Sequence, residues 1–249
     1  MEIVGIIPAR YHSQRLPQKL LRLLLGKPLL QWTWERARQA RCLDRLIIAC
    51  DNVQVQRAAC DFGAEVVMTS PEHSSGTDRI AEAVRDLDTK YVINIQADEP
   101  LIHPTTINVL GATIAGDNHP VMASIKTKLI DPDDRDNPNV VKVVVDKNDN
   151  ALYFSRAPIP YRREADQEAI YYKHIGIYAY TKDFLYTFKN LPASQLEGAE
   201  KLEQLRALEA GYKIKVVTTQ FDSHGVDTED DFKKVERILI QNGHSSVIE

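Results

Sequence analysis

Short runs of aliphatic and β-branched residues alternate with amphipathic stretches through the first half of the chain. Residues 3–7 form the first apolar run. The chain then turns polar and basic, apolar residues resume at Leu20, and Pro28 opens an amphipathic stretch to about Ala40. That order predicts strand, loop, helix. Residues 45–50 read as a buried strand ending at Asp51, residues 53–62 as a helix stopping at Gly63, and residues 64–69 as a third strand. This spacing calls for a parallel sheet with right-handed crossovers. Residues 70–76 form a loop, with Thr77 a candidate cap for a helix carrying Asp78 in its first turn. A further apolar strand over 91–95 runs into Gln96-Ala97-Asp98-Glu99-Pro100, and a helix starts near Pro104 or Thr105.

From Val121 the texture changes. Residues 121–128 are strand-like, and 131–139 form a proline- and aspartate-rich loop. Residues 140–145 and 151–155 flank Asp146-Lys-Asn-Asp-Asn150 as an antiparallel hairpin. A charged loop over 162–168 precedes a strand pattern at 170–180. Helical patterns follow at 181–190 and 197–210, where Leu202, Leu205 and Leu208 supply part of an apolar stripe. Residues 213–218 return as a strand, Val226-Asp227-Thr228 opens the last helix, and the tail after Gln241 is expected to fray. The expected fold is α/β: a mixed, mainly parallel sheet with helices on both faces and an antiparallel extension. Residues 1–249 are expected to form one domain, with 121–180 as an extension within it rather than an independent unit.

Composition narrows the chemistry. The 249 residues are 43% hydrophobic and 27% charged with a net charge of −4, so nothing global draws the chain to nucleic acid and a local basic loop stands out. No apolar run reaches membrane-spanning length, and the N-terminus lacks a signal-peptide pattern. Cys42, Cys50 and Cys60 are odd in number and lack C-x-x-C spacing. Neither disulfides nor a zinc site is expected, a catalytic thiol is not favoured, and a reducing cytoplasm fits best.

Three clusters fall in loops after strands, where open α/β sheets build sites. Arg10, Arg15 and Lys19 lie in one loop without an acidic residue, which suits a polyanion; a solvated surface loop is the plainer account of three cations. The loop is neither a Walker loop nor G-x-G-x-x-G, which disfavours a dehydrogenase. The turn His73-Ser-Ser-Gly-Thr-Asp-Arg79 can present backbone groups to a base or phosphate, although a capped helix entrance explains it without a ligand. Gln96 and Asp98 close an apolar strand, where packing explains a carboxylate poorly. Asp227 follows the last strand and by itself reads as a helix cap. Two carboxylates from distant strand ends, meeting near a polyphosphate, are what Mg²⁺ needs, and with the facing cations they point to phosphoryl or nucleotidyl transfer.

These residues are familiar as a set. Ile6-Ile-Pro-Ala-Arg10…Ser13…Arg15-Leu-Pro…Lys19 resembles the signature of the sugar-acid cytidylyltransferases, and within them the 3-deoxy-D-manno-octulosonate (Kdo) cytidylyltransferases. Ser75-Gly-Thr, Gln96…Asp98-Glu-Pro, Asn137-Pro-Asn…Val-Lys-Val, Ala151-Leu-Tyr-Phe-Ser-Arg156, Lys173-His-Ile-Gly-Ile-Tyr178, Leu202-Glu-Gln-Leu-Arg206 and Gly225-Val-Asp227-Thr recur in family order across almost the whole chain. The resemblance implies a Rossmann-like fold of the nucleotide-diphospho-sugar transferase type, and a nucleotidyltransferase that joins CTP to Kdo for lipopolysaccharide synthesis. Pro8, Ala9, Arg10, Ser74, Ser75, Gly76, Arg79 and Gln96 would hold the cytidine part, and Arg10, Ser13, Arg15 and Lys19 the triphosphate. Asp98 and Asp227 would bind Mg²⁺. Gln96, Arg156, His174, Tyr178, Glu203 and Gln204 match the sugar-acid pocket. By spacing alone Glu203 and Gln204 read as solvated and His174 as a satisfied core histidine. The catalytic set is Arg10, Lys19, Asp98 and Asp227. A homodimer is implied, with 121–180 as its contact and part of the sugar site.

The sequence departs from the family pattern at Gln18 and Ala97, each in place of a glycine, and at Leu20 in place of a proline. None removes a charge, so altered rates rather than lost activity are expected. CMP-sialic acid synthetases resemble the first loop but carry a Lys-Asn pair where Leu16-Pro17-Gln18-Lys19 stands. An enzyme for 8-amino-Kdo and a non-catalytic nucleotide-binding relative would share most of these motifs, and both compete with the Kdo reading.

Overall fold

All of β1 (Ile3–Ala9) except Pro8 is buried, because a parallel strand pairs with it on each side. A continuous apolar run, rather than alternation, is what such a central strand requires. The computed structural model describes residues 2–13, 15–164 and 169–244. After β1 come β2 (Leu23–Leu24), β3 (Lys27–Pro28), α1 (Leu29–Ala37), β4 (Arg45–Cys50), α2 (Val53–Asp61), β5 (Glu65–Met68), α3 (Gly76–Ala83), β6 (Tyr91–Asn94) and α4 (Pro104–Ile114). The second half holds β7 (Met122–Lys128), α5 (Pro132–Asp136), β8 (Lys142–Val145), β9 (Ala151–Ser155), β10 (Tyr172–Thr181), α6 (Lys182–Asn190), α7 (Gln195–Glu200), α8 (Leu205–Glu209), β11 (Lys215–Thr219) and α9 (Glu229–Gln241). The chain divides into two compact units: residues up to Asn108 together with those from Ser223 onward, and Val109–Asp222.

In the first unit the strand order is β6-β1-β4-β5, all parallel. The chain builds outward from β1 to β4 and β5, then returns to add β6 on the other side of β1. That reversal opens a crevice at the carboxyl ends of β1 and β6, the place where sheets of this kind take ligands. Ile6, Ile7, Ile47, Ile48, Ile80, Val92 and Ile93 have no solvent exposure and form its core.

In the second unit β7 runs antiparallel to β10 and parallel to β11, while β8 and β9 form an antiparallel hairpin that meets β10 at Lys142 and Lys173. A bulge interrupts β10: Ile175 faces Ile125, and the next paired residue, Tyr178, faces Ser124. Ser124 Oγ donates to Ile177 O at 2.9 Å and holds the bulge in place.

Several expectations are corrected. The cap of α3 is Ser75, whose Oγ accepts from Asp78 N, and not Thr77. The cap of α9 is Thr228, in a capping box with Asp231, which leaves the Asp227 carboxylate free of that duty. The helix expected over 197–210 is two helices. Lys201 adopts φ 54° and closes α7 through its N–H to Glu197 O at 2.8 Å, and α8 restarts at Leu205. A short helix, α5, occupies part of the 131–139 loop, capped by Asp131. The stretch around Leu25 and Gly26, both at positive φ, is a tight β2–β3 hairpin that the apolar pattern does not reveal. Beyond Gln241 the His244 ring packs edge-on to Trp32 at 5.0 Å; the rest of the tail, 245–249, lies outside the described residues, as do 165–168 of the charged loop. Cys50 is buried at the end of β4, Cys42 sits half-buried in a turn, and Cys60 is exposed on α2.

Candidate functional site

Three chain segments converge at the carboxyl ends of β1 and β6. The loop after β1 ends in a 3-10 turn, Lys19–Leu21, entered through Gln18 in the left-handed region at φ 52°. This turn buries Lys19 and directs its ammonium inward. The segment after β6 is tied down on two sides: Thr33 Oγ1 of α1 donates to Ala97 O at 3.0 Å, and Val226 N donates to Asp98 O at 2.9 Å. The second of these bonds brings the turn before α9 alongside. There Asp231 Oδ2 accepts from Asp227 N and Thr228 N at 3.1 and 2.9 Å, fixing the Asp227 backbone.

Lys19 Nζ donates to Asp98 Oδ2 at 2.7 Å and to Asp227 Oδ1 at 3.0 Å. Arg15 Nη2 reaches the other oxygen of Asp227 at 2.9 Å. Burial pulls the Lys19 pKa down, but Asp98 and Asp227 more than offset it, and the net shift is upward. At Asp227 desolvation works upward, and Lys19 and Arg15 reverse it to a lowered value. Both groups are therefore charged at neutral pH. Arg10 is exposed and has no ion-pair partner among the described residues.

These groups line one cavity of about 350 Å³ with Pro8, Arg10, Ser13, Ser74, Ser75, Gly76, Arg79 and Gln96. His73, Leu20 and Ala97 complete the lining. Ser74 and Ser75 hydroxyls both donate to Asp78 Oδ2, at 3.1 and 2.9 Å. Arg79 is almost wholly buried: Nη1 donates to Thr69 Oγ1 at 2.6 Å and Nη2 to Asp51 Oδ2 at 2.9 Å. The second Asp51 oxygen accepts from Tyr11 N at 2.9 Å, next to Arg10. One carboxylate thus joins the basic loop to the Ser74–Arg79 side of the cavity. Asp51 supports the cavity without lining it and is absent from the candidate set above, although it carries the same signal as Asp98: a carboxylate that closes an apolar strand.

In the second unit His174 and Tyr178 meet with ring centroids 5.4 Å apart. Four residues of regular strand would advance about 13 Å, so the bulge is what brings the two rings together. His174 Nε2 lies 2.8 Å from Ser124 Oγ. Because that hydroxyl donates to Ile177 O, Nε2 carries the proton of a neutral ring. Burial lowers the His174 pKa to about 3, while burial and the charge of Glu203 raise the Tyr178 phenol. Arg156 Nε donates to Glu200 O at 2.7 Å and Nη1 to Pro138 O at 2.8 Å. Glu203 and Gln204 lie in the break between α7 and α8 and are not solvated: Gln204 is 4% exposed and Glu203 half-buried. Gln204 Nε2 is buried without a hydrogen-bond partner among the described residues.

The family described as cytidylyltransferase matches residues 4–214. A 3-deoxy-manno-octulosonate cytidylyltransferase of Syntrophobacter fumaroxidans (strain DSM 10017 / MPOB) is 49% identical over 246 residues, spanning 97% of this chain and 98% of the relative. Its counterpart in Syntrophotalea carbinolica (strain DSM 2380 / NBRC 103641 / GraBd1) is 48% identical over 247 residues, spanning 96% and 99%. The chain belongs to the 3-deoxy-manno-octulosonate cytidylyltransferase family. A solved CMP:2-keto-3-deoxy-manno-octonic acid synthetase complexed with CTP matches at a TM-score of 0.91 and 40% identity, over 97% of this chain and 100% of that one.

Membership in the cytidylyltransferase family makes the departures from its pattern instructive. Gln18 takes up the left-handed backbone that a glycine would adopt freely. Ala97 is 6% exposed at the cavity wall, with its carbonyl held by Thr33. Neither disturbs the meeting of Lys19 with the two aspartates. No described helix is long and apolar enough to cross a membrane.

Proposed function

We propose that this protein transfers the cytidylyl group of CTP to Kdo, giving CMP-Kdo and pyrophosphate. The observation that carries the reading is the convergence of Lys19 on Asp98 and Asp227 inside a cavity rimmed by Arg10 and Arg15. Relatives named for this reaction, aligned over nearly the whole chain, supply the substrates. The anomeric hydroxyl of Kdo attacks the α-phosphorus; the new O–P bond forms as the α–β bridging bond breaks, pyrophosphate leaves, and the hydroxyl proton passes to water. No covalent enzyme intermediate is required, and alignment with charge neutralisation supplies the rate.

Pro8, Ala9, Ser74, Ser75, Gly76, Arg79 and Gln96 would hold the cytidine, and Arg10, Ser13, Arg15 and Lys19 the triphosphate. Lys19 and Arg10 stabilise charge on the α-phosphate and the leaving group. Gln96, Arg156, His174, Tyr178, Glu203 and Gln204 would bind the sugar acid. The Gln204 amide, which lacks a partner among the described residues, supports this, since a buried donor is costly until a ligand oxygen accepts from it. A neutral His174 donates rather than competing as a second charge, and Arg156 suits the carboxylate.

The fit of Asp98 and Asp227 to Mg²⁺ rests on one feature of this chain: they already share a cation, the Lys19 ammonium. Two carboxylates with phosphate oxygens and water are a suitable donor set. When bound there, Mg²⁺ would neutralise phosphate charge and polarise the reacting phosphoryl group. We further propose a cytoplasmic homodimer, with the antiparallel extension over 121–180 as its contact within a single nucleotidyltransferase domain, and a product that serves lipopolysaccharide synthesis. Light scattering tests the dimer.

Pyrophosphate release from CTP with Mg²⁺, measured with Kdo, 8-amino-Kdo and N-acetylneuraminate side by side, tests the function. Release with Kdo is expected. Preference for another acid would move the substrate while keeping the chemistry, and CTP binding without release from any of them would overturn the enzymatic reading.

A further inference from the structure

Lys142 lies within the Asn137-Pro-Asn…Val-Lys-Val motif, to which the family likeness attaches no role. It has no solvent exposure. Its position on β8 faces Ser155 of β9. Its ammonium donates to three backbone carbonyls: Val140 O at 2.6 Å, Arg156 O at 2.7 Å and Asn137 O at 2.9 Å. Among the described residues no carboxylate pairs with it.

Burying an ammonium with no carboxylate in contact is expensive, and an apolar side chain of similar length would fill the same space at less cost. The three carbonyls use all three N–H donors, so what the charge achieves is geometric. One point gathers the 137–140 turn and the Arg156 backbone. The same turn presents Pro138 O to Arg156 Nη1. Glu200 closes the opposite side: its carboxylate accepts from Ser155 Oγ at 2.6 Å and Arg156 N at 2.9 Å, and its carbonyl takes Arg156 Nε. The guanidinium plane is thereby set from two directions.

We infer that Lys142 is a positioning residue for sugar-acid recognition: it locks the 137–140 turn to Arg156 so that the guanidinium is pre-set for a carboxylate. The inference rests on the proposed reading of Arg156 as the partner of the sugar acid. Supporting groups of this kind matter because small displacements of a binding group cost large factors in recognition.

The test compares Lys142→Met, Lys142→Arg and Arg156→Gln by steady-state kinetics with CTP and Kdo varied in turn, alongside CTP calorimetry and thermal melting. For Lys142→Met the KM for Kdo is expected to rise on the order of 10-fold or more, with the KM and Kd for CTP held within about twofold. Lys142→Arg should recover part of the loss. If Lys142→Met does not fold, Lys142→Arg carries the test with the same split at smaller size. An unchanged KM for Kdo in folded Lys142 variants, or equal rises for both substrates, overturns the inference. An unchanged KM for Kdo in Arg156→Gln withdraws the Arg156 reading and this inference with it. A rise there beside silent Lys142 variants removes the inference alone.

Discussion

Lys19 Nζ stands 2.7 Å from Asp98 Oδ2, and the same ammonium holds Asp227. A lysine that neutralises two carboxylates holds the place proposed above for Mg²⁺. Lys19→Ala is therefore expected to do two opposite things. It should lower kcat by something on the order of 10²-fold, the usual loss for a preorganised electrostatic donor. It should also tighten Mg²⁺ binding to the nucleotide-free protein, because a competing cation has gone. Magnesium titration calorimetry beside single-turnover kinetics checks both, and unchanged kcat would remove Lys19 from the chemistry.

The same group sets a pH window for stability. The lowered Asp227 pKa means its contribution is complete above the ordinary value of 3.8 and is lost as pH falls through the lowered one. Lys19, with a raised pKa, contributes fully below 10.5 and loses its share as pH rises through the raised value. Melting curves of the parent and Asp227→Asn are expected to lie apart at neutral pH and converge in strong acid. Curves that stay parallel throughout would show that Asp227 gains nothing from its cations.

His174 gives a second, separable slope. Its pKa falls from 6.5 to about 3 on burial, so the unfolded chain binds the proton first. Stability from the neutral ring is complete above 6.5 and declines as pH falls from there towards 3. Denaturant unfolding across that interval should show a shallower decline in His174→Gln than in the parent. Imidazole NMR shifts of His174 are expected to stay flat from about pH 5 to 8, the span in which an ordinary histidine titrates. A titration there would contradict the buried neutral ring.

Most of this architecture is legible in the sequence where one period dominates. The continuous apolar runs of β1, β4 and β6 and the hairpin around Asp146–Asn150 follow directly from pattern. The α7–α8 break does not, because Leu202, Leu205 and Leu208 keep a helical spacing across the 202–204 gap, and a lysine at positive φ carries no glycine or asparagine signal. Gln204 reads as solvated for that reason: on one continuous helix it would leave the leucine face. Spacing also does not decide whether Asp227 caps α9. Its neighbour Thr228 is the better cap, and only the fold brings Lys19 across to claim the carboxylate. The meeting of His174 and Tyr178 depends on a bulge that alternation of residue types does not encode.

A trade between stability and recognition is expected at Gln204. Its amide nitrogen is buried and lacks a partner among the described residues, a state that costs about 1–3 kcal/mol. Gln204→Met keeps the volume and removes the orphan donor, so the melting temperature should rise. If the amide serves a sugar hydroxyl, the KM for Kdo should rise with it, while the KM for CTP stays put. A stabilised variant with unchanged Kdo kinetics would make Gln204 a packing residue only.

Gln18 is the departure from the family pattern whose backbone does not suit its side chain. At φ 52° and ψ 30° it enters the Lys19 turn in a conformation that costs a non-glycine residue roughly 1 kcal/mol. Glycine removes that strain but gives the unfolded chain more freedom, by about 0.4–1 kcal/mol, so Gln18→Gly should leave global stability nearly unchanged. A β-branched residue relieves nothing and adds crowding, and Gln18→Val is expected to destabilise the protein by more than that and to raise the KM for CTP, because the turn that aims Lys19 would shift. Thermal melts and CTP kinetics of the two variants read this directly. A Gln18→Val protein as stable and as active as the parent would mean that the left-handed entry is not what sets Lys19 between Asp98 and Asp227.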